Sequence, residues 1–299
     1  MCYHIRLSYE YYTLTGDNSI FDSNWKKSID VILNTLQIEQ RKNGKSPYIF
    51  IRNGNQMIDA PVFNGTGRPL KPNGLIASMS RPSDDATLFG FLIPSNIFAM
   101  ISLRQVGDIY EKEKINDLIS IKCNNLANEI EIALEKYAIQ DHLDFGKMYA
   151  YEIDGFGNKL FMDDANVPSL MSLAYLNKSF RDNPLYLNTR KFLISENNPY
   201  FLKGKIAEGQ ASPHTGKDKI WPMGIILRAM TSNNDNEIKK CLKMLLNTHD
   251  NTGFMHEAFH KDNQSDFNRS WFAWANTLFG ELIIKLYNER PHLLKVNFS

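Results

Sequence analysis

The sequence predicts an all-α fold in which helices pair into hairpins that follow one another in a ring or solenoid. Three observations support this prediction. Apolar residues recur at helical spacing in about nine segments, and no segment alternates convincingly as a core strand. Short and long connections alternate between these segments. Every long connection is polar, so the long connections are expected to gather on one rim of the ring.

The first half of the chain contains four of the predicted helices. The first helix ends before Gly16, Asp22 is a suitable N-cap for the second, and Gly107 marks the turn between the third and the fourth. Residues 43–82 are rich in Gly, Pro and Asn and form a loop of roughly forty residues, a length that is commonly functional. The four helices are predicted at Tyr3–Leu14, 23–40, Leu92–Val106 and Glu111–Tyr137.

The second half contains five further helices and three long polar loops, at about 141–164, 195–221 and 250–269. Each loop carries a cluster of acidic, amide or imidazole side chains. The five helices are predicted at Val167–Leu176, Leu185–Ile194, Pro222–Thr231, Asn234–His249 and Ser270–Leu286.

Composition excludes several classes of protein. With 34 basic and 33 acidic side chains in 299 residues, the chain lacks the excess of positive charge that is usual in nucleic-acid binders. No apolar run has membrane-spanning length, and the first residues, MCYHIRLSYEYY, are too polar for a signal peptide. The three cysteines are odd in number and far apart, which supports neither a disulfide framework nor a zinc site. A reducing, cytoplasmic location is therefore expected.

Two adjacent carboxylates, Asp84 and Asp85, stand between an Arg-Pro step and an apolar run. One interpretation is structural: they cap the following helix and pair with Arg81. A second is a general acid at the floor of a pocket. A third is the aspartate-rich metal site of helical prenyl-transferring enzymes, but Leu88 occupies the position where its DDxxD motif needs another acid.

His256 and Glu257 lie in the last long loop. A glutamate there can activate water as a general base, whereas the simpler interpretation is an exposed surface side chain. The letters from His256 to His260 also match HExxH, which binds zinc when it is helical. Gly253 before the motif and the Lys-Asp-Asn run after it indicate a loop instead.

Two further clusters have the side chains that bind sugar hydroxyl groups. Asp163, Asp164 and Asn166 can form bidentate hydrogen bonds, although one of them is also suited to cap the helix predicted from Val167. The loop before the helix at Pro222 contains His214, which can donate to a hydroxyl group.

Trp221 closes that loop and is suited to stack on a pyranose ring, but a large aromatic side chain at a helix start is more often part of the core. Trp271 and Trp274 present the same two alternatives, and their helical spacing favours the core for at least one of them.

Taken together, five motifs resemble glycoside hydrolase family 125, the exo-α-1,6-mannosidases, from about Tyr9 to Leu286. The motifs are SRPSDDATLFGFLIPSN, MDDANVPSL, SPHTGKDKIWPM, GFMHEAFHKD and RSWFAWANTLFGEL. The resemblance implies an (α/α)6 barrel, hydrolysis of non-reducing terminal α-1,6-linked mannose with inversion, and no metal or other cofactor. The implied partner is a mannose-containing oligosaccharide or N-glycan, with no nucleic acid and no membrane.

The resemblance also assigns roles to residues. The DDA motif places the general acid at Asp84, with Asp85 as the fallback, and the MHEAF motif places the general base at Glu257. The residues expected to hold the mannose are Arg81, Asp85, Asp163, Asp164, Asn166, His214, Trp221 and His256.

The helix count departs from the family pattern. About nine of the family's twelve barrel helices are recognisable, so residues 1–299 are expected to form one catalytic barrel domain that lacks its first helices and exposes apolar helix faces. Two alternative functions follow: an inactive mannose-binding remnant of such an enzyme, and a sugar epimerase that uses His214 and His256 as acid and base.

Inversion sets a geometric requirement. The two carboxyl groups must be roughly 6.5–9.5 Å apart so that a water molecule fits between the base and the sugar. The acid must also be protonated at working pH, so we expect Asp84 to be partly buried or to lie beside a carboxylate such as Asp85.

Overall fold

The structure is a computed structural model that describes residues 1–52 and 57–296. Its helices are α1 (Cys2–Thr15), α2 (Ser23–Glu39), α3 (Val62–Gly65), α4 (Ile93–Lys112), α5 (Asp117–Tyr137), α6 (Leu173–Leu176), α7 (Pro184–Leu193), α8 (Pro222–Met230), α9 (Asp235–Asn247) and α10 (Ala273–Glu289). Its strands are β1 (Phe91–Leu92), β2 (Ile139–His142), β3 (Gly146–Tyr149), β4 (Glu152–Ile153), β5 (Lys159–Leu160), β6 (Phe201–Lys203), β7 (Glu208–Gln210), β8 (Lys219–Ile220), β9 (Ala258–His260) and β10 (Asn263–Asn268).

Each of the nine predicted helices overlaps an observed one. The additional helix, α3, is a four-residue turn in which Phe63 and Asn64 are left-handed. The strands are short and, apart from β1 at the start of α4, lie within the three long connections of the second half. Among the described residues no helix combines the length and the apolar character needed to cross a bilayer.

Two predicted boundaries are wrong. The helix expected over Val167–Leu176 is confined to Leu173–Leu176. Proline at position 168 disfavours a helical residue before it. The backbone N–H groups of Leu170 and Met171 donate to the carboxylate of Asp163, and the helix begins only at Leu173.

The turn expected at Gly107 is also absent, because α4 continues through this residue to Lys112. A Cβ atom at Gly107 would lie 2.8 Å from the side-chain oxygen of Asn124 on α5. The glycine therefore allows α4 and α5 to pack closely rather than ending the helix.

The chain divides into two compact units. Unit 1 comprises Met1–Arg81, Ala86–Ile139 and Ala150–Leu160, and unit 2 comprises Pro82–Asp85, Gln140–Tyr149 and Phe161–Ser299. The expectation that residues 1–299 form a single domain stays a prediction.

In unit 1, helices α1, α2, α4 and α5 enclose an apolar core. Asp22 is the N-cap of α2, as predicted, and its carboxylate accepts hydrogen bonds from the backbone of Asn24 and Trp25. The indole of Trp25 is buried and donates to the Ser8 hydroxyl on α1, which ties the first two helices together. The small antiparallel sheet β1-β4-β5 lies at the start of α4, where Leu92 pairs with Glu152.

One face of α1 is apolar and exposed. Its large side chains Tyr3, Leu7, Tyr11 and Leu14 follow helical spacing, and Leu7 and Leu14 are 73% and 83% exposed.

In unit 2, helix α8 packs against α9 and α10 and is buried along its whole length. Asn234 caps α9 through two backbone N–H groups. The three-stranded sheet β8-β9-β10 joins the loop before α8 to the loop before α10, with Ile220 opposite Phe259. This sheet holds the segment that contains His256 and Glu257 beside the segment that contains Trp221.

Candidate active site

The adjacent aspartates lie at the tip of an irregular hairpin. On either side of the tip, in unit 1, Ser80 and Ala86 form an antiparallel bridge, and the backbone N–H of Thr87 donates to the carbonyl oxygen of Met79 over 3.1 Å. The chain therefore turns back on itself between Ser80 and Ala86, and the turn carries Asp84 and Asp85.

Arg81, at the start of this turn, is buried. Its guanidinium Nε donates to Oε1 of Glu152 over 2.6 Å and lies over the ring of Tyr151. The sequence prediction paired Arg81 with the neighbouring aspartates or with a sugar. The structure shows that one partner of Arg81 is a buried carboxylate, Glu152, which sequence reasoning missed.

Asp84 is exposed and has a left-handed backbone, with φ of 73°. Left-handed geometry is uncommon for a residue other than glycine and often marks functional sites. The prediction that Asp84 caps a helix is wrong, because α4 begins at Ile93 and its N-cap is Leu92. A general acid was expected to be partly buried or to lie beside a carboxylate; the first is not found, because Asp84 is exposed, whereas the adjacent Asp85 is completely buried.

Asp85 binds His214 within unit 2. The two side chains meet at 3.0 Å, between Oδ1 of Asp85 and Nδ1 of His214, and the imidazole keeps about a fifth of its surface exposed. The backbone N–H of His214 donates to the Ser212 hydroxyl. A short turn at Pro213–Thr215 thus orients the imidazole between a buried carboxylate and the surface.

The Ser212 hydroxyl group also links His214 to the cluster of Asp163, Asp164 and Asn166. Ser212 Oγ donates to Oδ2 of Asp164 over 3.0 Å, and Oδ1 of Asp164 accepts hydrogen bonds from both the backbone and the side chain of Asn166. Segments 82–85, 163–166 and 212–214 are therefore joined in one hydrogen-bonded network, which we call the aspartate network. Sequence reasoning placed Ser212 in a motif but gave it no role.

Asp163 lies beside this network and is completely enclosed. Its carboxylate accepts hydrogen bonds from the backbone of Leu170 and Met171 and from the Gln210 side chain at 2.7 Å. Burial raises the pKa of Asp163 to about 7 from an ordinary value of 3.8. Both oxygen atoms of Asp163 are engaged by groups of the protein, so it holds the backbone of residues 170 and 171 in place rather than contacting a sugar. It does not cap α6, whose N-cap is Ser172. Gln210 is a partner that the sequence analysis missed.

The raised pKa of Asp163 predicts a pH dependence of stability. Below about pH 7 the folded chain keeps a proton on Asp163 that the unfolded chain releases above about pH 4, so this stabilisation is lost as the pH rises through that window. We expect Asp163→Asn to flatten the fall in unfolding free energy between pH 5 and pH 7, by on the order of a few kcal/mol. Chemical denaturation at each pH measures this.

Asp266→Asn is the matched control for that measurement. Asp266 is an exposed aspartate whose pKa is lowered by Lys219, so its titration lies below the pH window. An unchanged slope in Asp163→Asn would contradict the assignment of the titration to Asp163.

Trp221 is only 2% exposed. Its indole N–H donates to the Thr215 hydroxyl, and its ring meets Phe272 edge to face at 5.9 Å. A ring so enclosed offers no face to a pyranose, so the structure fits the alternative interpretation, a core side chain at the start of α8. Trp271 is 55% exposed, and Trp274 is half-buried.

His256 is buried and neutral. Its Nδ1 lies 3.0 Å from the carbonyl oxygen of Ser270, which can only accept, so Nδ1 carries the proton and Nε2 is an acceptor. The imidazole stacks on the ring of Phe267. Loss of hydration lowers its pKa, so stability is lost as the pH falls through the ordinary histidine value of about 6.5. Among the described residues, Nε2 has no hydrogen-bond partner.

Glu257 immediately precedes β9 and is 7% exposed. Its Oε1 lies 3.4 Å from Nε of Arg269, which is itself exposed, and its backbone N–H donates to Asn268 across the β9-β10 pair. The zinc alternative needs a helical HExxH, but Ala258–His260 is a strand. At about 3.3 Å per residue, His256 and His260 are too far apart to share one metal ion.

The loop before Glu257 is fixed from α10. Asn276 accepts a hydrogen bond from the backbone N–H of Met255 and donates to its carbonyl oxygen, and the backbone N–H of Phe272 donates to the same oxygen. These bonds hold the backbone that carries His256 and Glu257. Sequence reasoning placed Asn276 in a motif without assigning it this function.

Comparison with known proteins identifies the relatives of this chain. The family model described as "Metal-independent alpha-mannosidase (GH125)" matches residues 1–284. The "Meiotically up-regulated gene 157 protein" of Schizosaccharomyces pombe is 42% identical over 305 residues, covering 99% of this chain. The chain spans 60% of the length of that relative.

A solved structure is also similar. It is a metal-independent α-mannosidase of Streptococcus pneumoniae in a non-productive complex with α-1,6-mannobiose. The two share 36% sequence identity with a TM-score of 0.92, over 97% of this chain and 68% of the other. This match confirms the predicted fold class, an all-α (α/α)6 fold.

Proposed function

This chain belongs to the GH125 family of metal-independent α-mannosidases, and from that premise we propose that it removes non-reducing terminal α-1,6-linked mannose with inversion. The observation that carries the proposal is the aspartate network. It joins three polar segments that are distant in sequence and leaves Asp84 exposed next to it. The α-1,6 linkage is inferred from the mannobiose bound by the related structure.

We assign the general acid to Asp84 rather than Asp85. A general acid must reach the glycosidic oxygen of the substrate, and Asp84 is the exposed member of the pair. Asp85 is fully buried and bound to His214, which suits it to support the site. The left-handed backbone of Asp84 at a hairpin tip is the kind of strain that is tolerated where a side chain must point in a set direction.

Glu257 is the proposed general base. In an inverting reaction it removes a proton from a water molecule while the water attacks the anomeric carbon from the face opposite the departing oxygen. Asp84 gives its proton to that oxygen, so a β-mannose product and a free hydroxyl group result. The separation of roughly 6.5–9.5 Å between the two carboxyl groups stays a prediction.

The other predicted site residues have different proposed roles according to whether their side chains are exposed or buried. His214 keeps part of its imidazole exposed and is proposed to bind a mannose hydroxyl group directly. The buried Asp164 and Asn166 hold the loop that carries it, and His256 offers a free Nε2 acceptor beside Glu257. The proposed hydrolysis needs two carboxyl groups and no metal ion, in agreement with the description of the family.

The test is hydrolysis of α-1,6-mannobiose followed by proton NMR. We expect β-mannose to form first and the α-anomer to appear later by mutarotation. First appearance of α-mannose would contradict inversion, and equal rates on α-1,2- and α-1,3-mannobiose would contradict the linkage preference.

The same sample separates the alternatives. Formation of a 2-epimer without bond cleavage would indicate an epimerase. Binding of mannobiose measured by calorimetry, with no hydrolysis after long incubation, would indicate the inactive mannose-binding remnant.

A further inference from the structure

We propose that Glu152 is a positioning residue that fixes the turn carrying the general acid. The inference rests on the proposed function, because it concerns the residue that aims Asp84. It adds a carboxylate that takes no part in the chemistry and acts through the backbone of the turn.

Glu152 binds both sides of the turn. Its Oε1 accepts from Nε of Arg81 over 2.6 Å, at the residue where the turn begins. Its Oε2 accepts from the backbone N–H groups of Leu88 and Phe89, each over 2.9 Å, just beyond the point where the turn ends. One carboxylate therefore ties position 81 to positions 88 and 89, and the intervening residues include Asp84.

The support behind Glu152 is rigid. Glu152 begins strand β4, where it pairs with Leu92 on β1 and Leu160 on β5 in the middle of a three-stranded sheet. Its side chain is completely buried, and the guanidinium of Arg81 lies over the ring of Tyr151, the residue before this strand. Removing one partner of a buried charge that is hydrogen-bonded in this way is strongly destabilising, so the turn is held in one arrangement.

Position 152 needs a carboxylate because of the number of N–H groups that donate to it. Three N–H groups point at Glu152, and a carboxylate has two oxygen atoms that accept all of them. A glutamine of the same shape has one oxygen and one NH₂ group, so at least one donor faces another donor. Glu152→Gln is thus expected to release one side of the turn while leaving the side-chain volume unchanged.

Asp154 provides a matched control two residues along the same segment. It is also buried, but its carboxylate accepts from the backbone of Phe156 and Asn158 and from the Asn158 side chain, all within its own turn. Asp154→Asn makes the same change from acid to amide in a neighbouring buried position without touching the turn at Asp84.

The experiment compares kinetics and amide hydrogen exchange in the whole chain. For Glu152→Gln we expect kcat on α-1,6-mannobiose to fall about 100-fold, the loss expected when a reacting group is misplaced by about 1 Å, with little change in KM. Exchange of the Leu88 and Phe89 amides should accelerate. Asp154→Asn should keep the wild-type kcat, and in it the Phe156 and Asn158 amides should exchange faster instead.

Equal kcat in the two variants, or a loss confined to KM, would overturn the role of Glu152, even if the Leu88 and Phe89 amides exchange faster. A wild-type chain inactive on every mannoside would instead refute the proposed function. If Glu152→Gln does not fold, Arg81→Lys tests the same contact from the other side, because lysine keeps the charge and lacks the Nε donor. It should show the same fall in kcat, and wild-type kcat in this variant would equally overturn the proposal.

Discussion

Asparagine in place of Asp84 is expected to lower kcat on α-1,6-mannobiose about 10³-fold, with KM nearly unchanged. An amide has no proton of suitable acidity to give the departing sugar oxygen, so the bond must break without general-acid assistance. Because Asp84 is exposed at the tip of a hairpin, the substitution should not alter stability. Mannose release under saturating substrate measures the effect.

The diagnostic control is a substrate with a good leaving group. A dinitrophenyl α-mannoside needs no proton on its leaving oxygen, so Asp84→Asn should cleave it at close to the wild-type rate. Asp85 is the acid instead of Asp84 if Asp85→Asn, and not Asp84→Asn, loses activity on mannobiose but keeps it on the dinitrophenyl mannoside. Full activity of Asp84→Asn on mannobiose would remove Asp84 from the mechanism.

Glutamine in place of Glu257 is expected to lower kcat by about 10³-fold on mannobiose and on the dinitrophenyl mannoside alike. Both reactions need a water molecule to lose a proton as it attacks, whatever the leaving group. The contrast between the two substrates therefore distinguishes the base from the acid.

Two further variants make the assignment of Glu257 specific. Glu257→Ala supplied with azide, a nucleophile that has no proton to lose, should regain activity and form β-mannosyl azide. Asp266→Asn, an exposed carboxylate on the adjacent strand β10, should behave as wild type. Retained activity in Glu257→Gln, or azide rescue that gives the α-product, would rule out Glu257 as the base of an inverting enzyme.

The helices were largely predictable because their signals are local. Asp22 and Asn234 cap helices where the sequence placed them, and each periodic apolar segment overlaps a helix. The errors occur where a distant contact overrides the local pattern. Gly107 lies inside α4, where a Cβ atom would crowd Asn124 on the next helix. Proline at position 168 and the bonds from the Leu170 and Met171 backbone to Asp163 accompany the late start of α6 at Leu173.

The candidate site was predictable only as a set of polar loops. Asp85, Asp164, Asn166 and His214 were all singled out from sequence, and the structure joins them in one network. Glu152 was missed because an isolated acid in a loop gives no pattern. The one available signal was its place between Tyr151 and Ile153, since an acid flanked by large apolar residues must find a partner when it is buried.

The amino-acid order alone determined the helical hairpins, the positions of the polar loops and the motifs that the family shares. It did not determine which of the two adjacent aspartates is exposed. It also did not show that Trp221 is buried in the core or that Arg81 binds Glu152. Periodicity and capping depend on neighbours within a few residues, whereas exposure and hydrogen-bond partners also depend on segments distant in sequence, such as those of Arg81 and Glu152, 71 residues apart, which only the folded chain brings together.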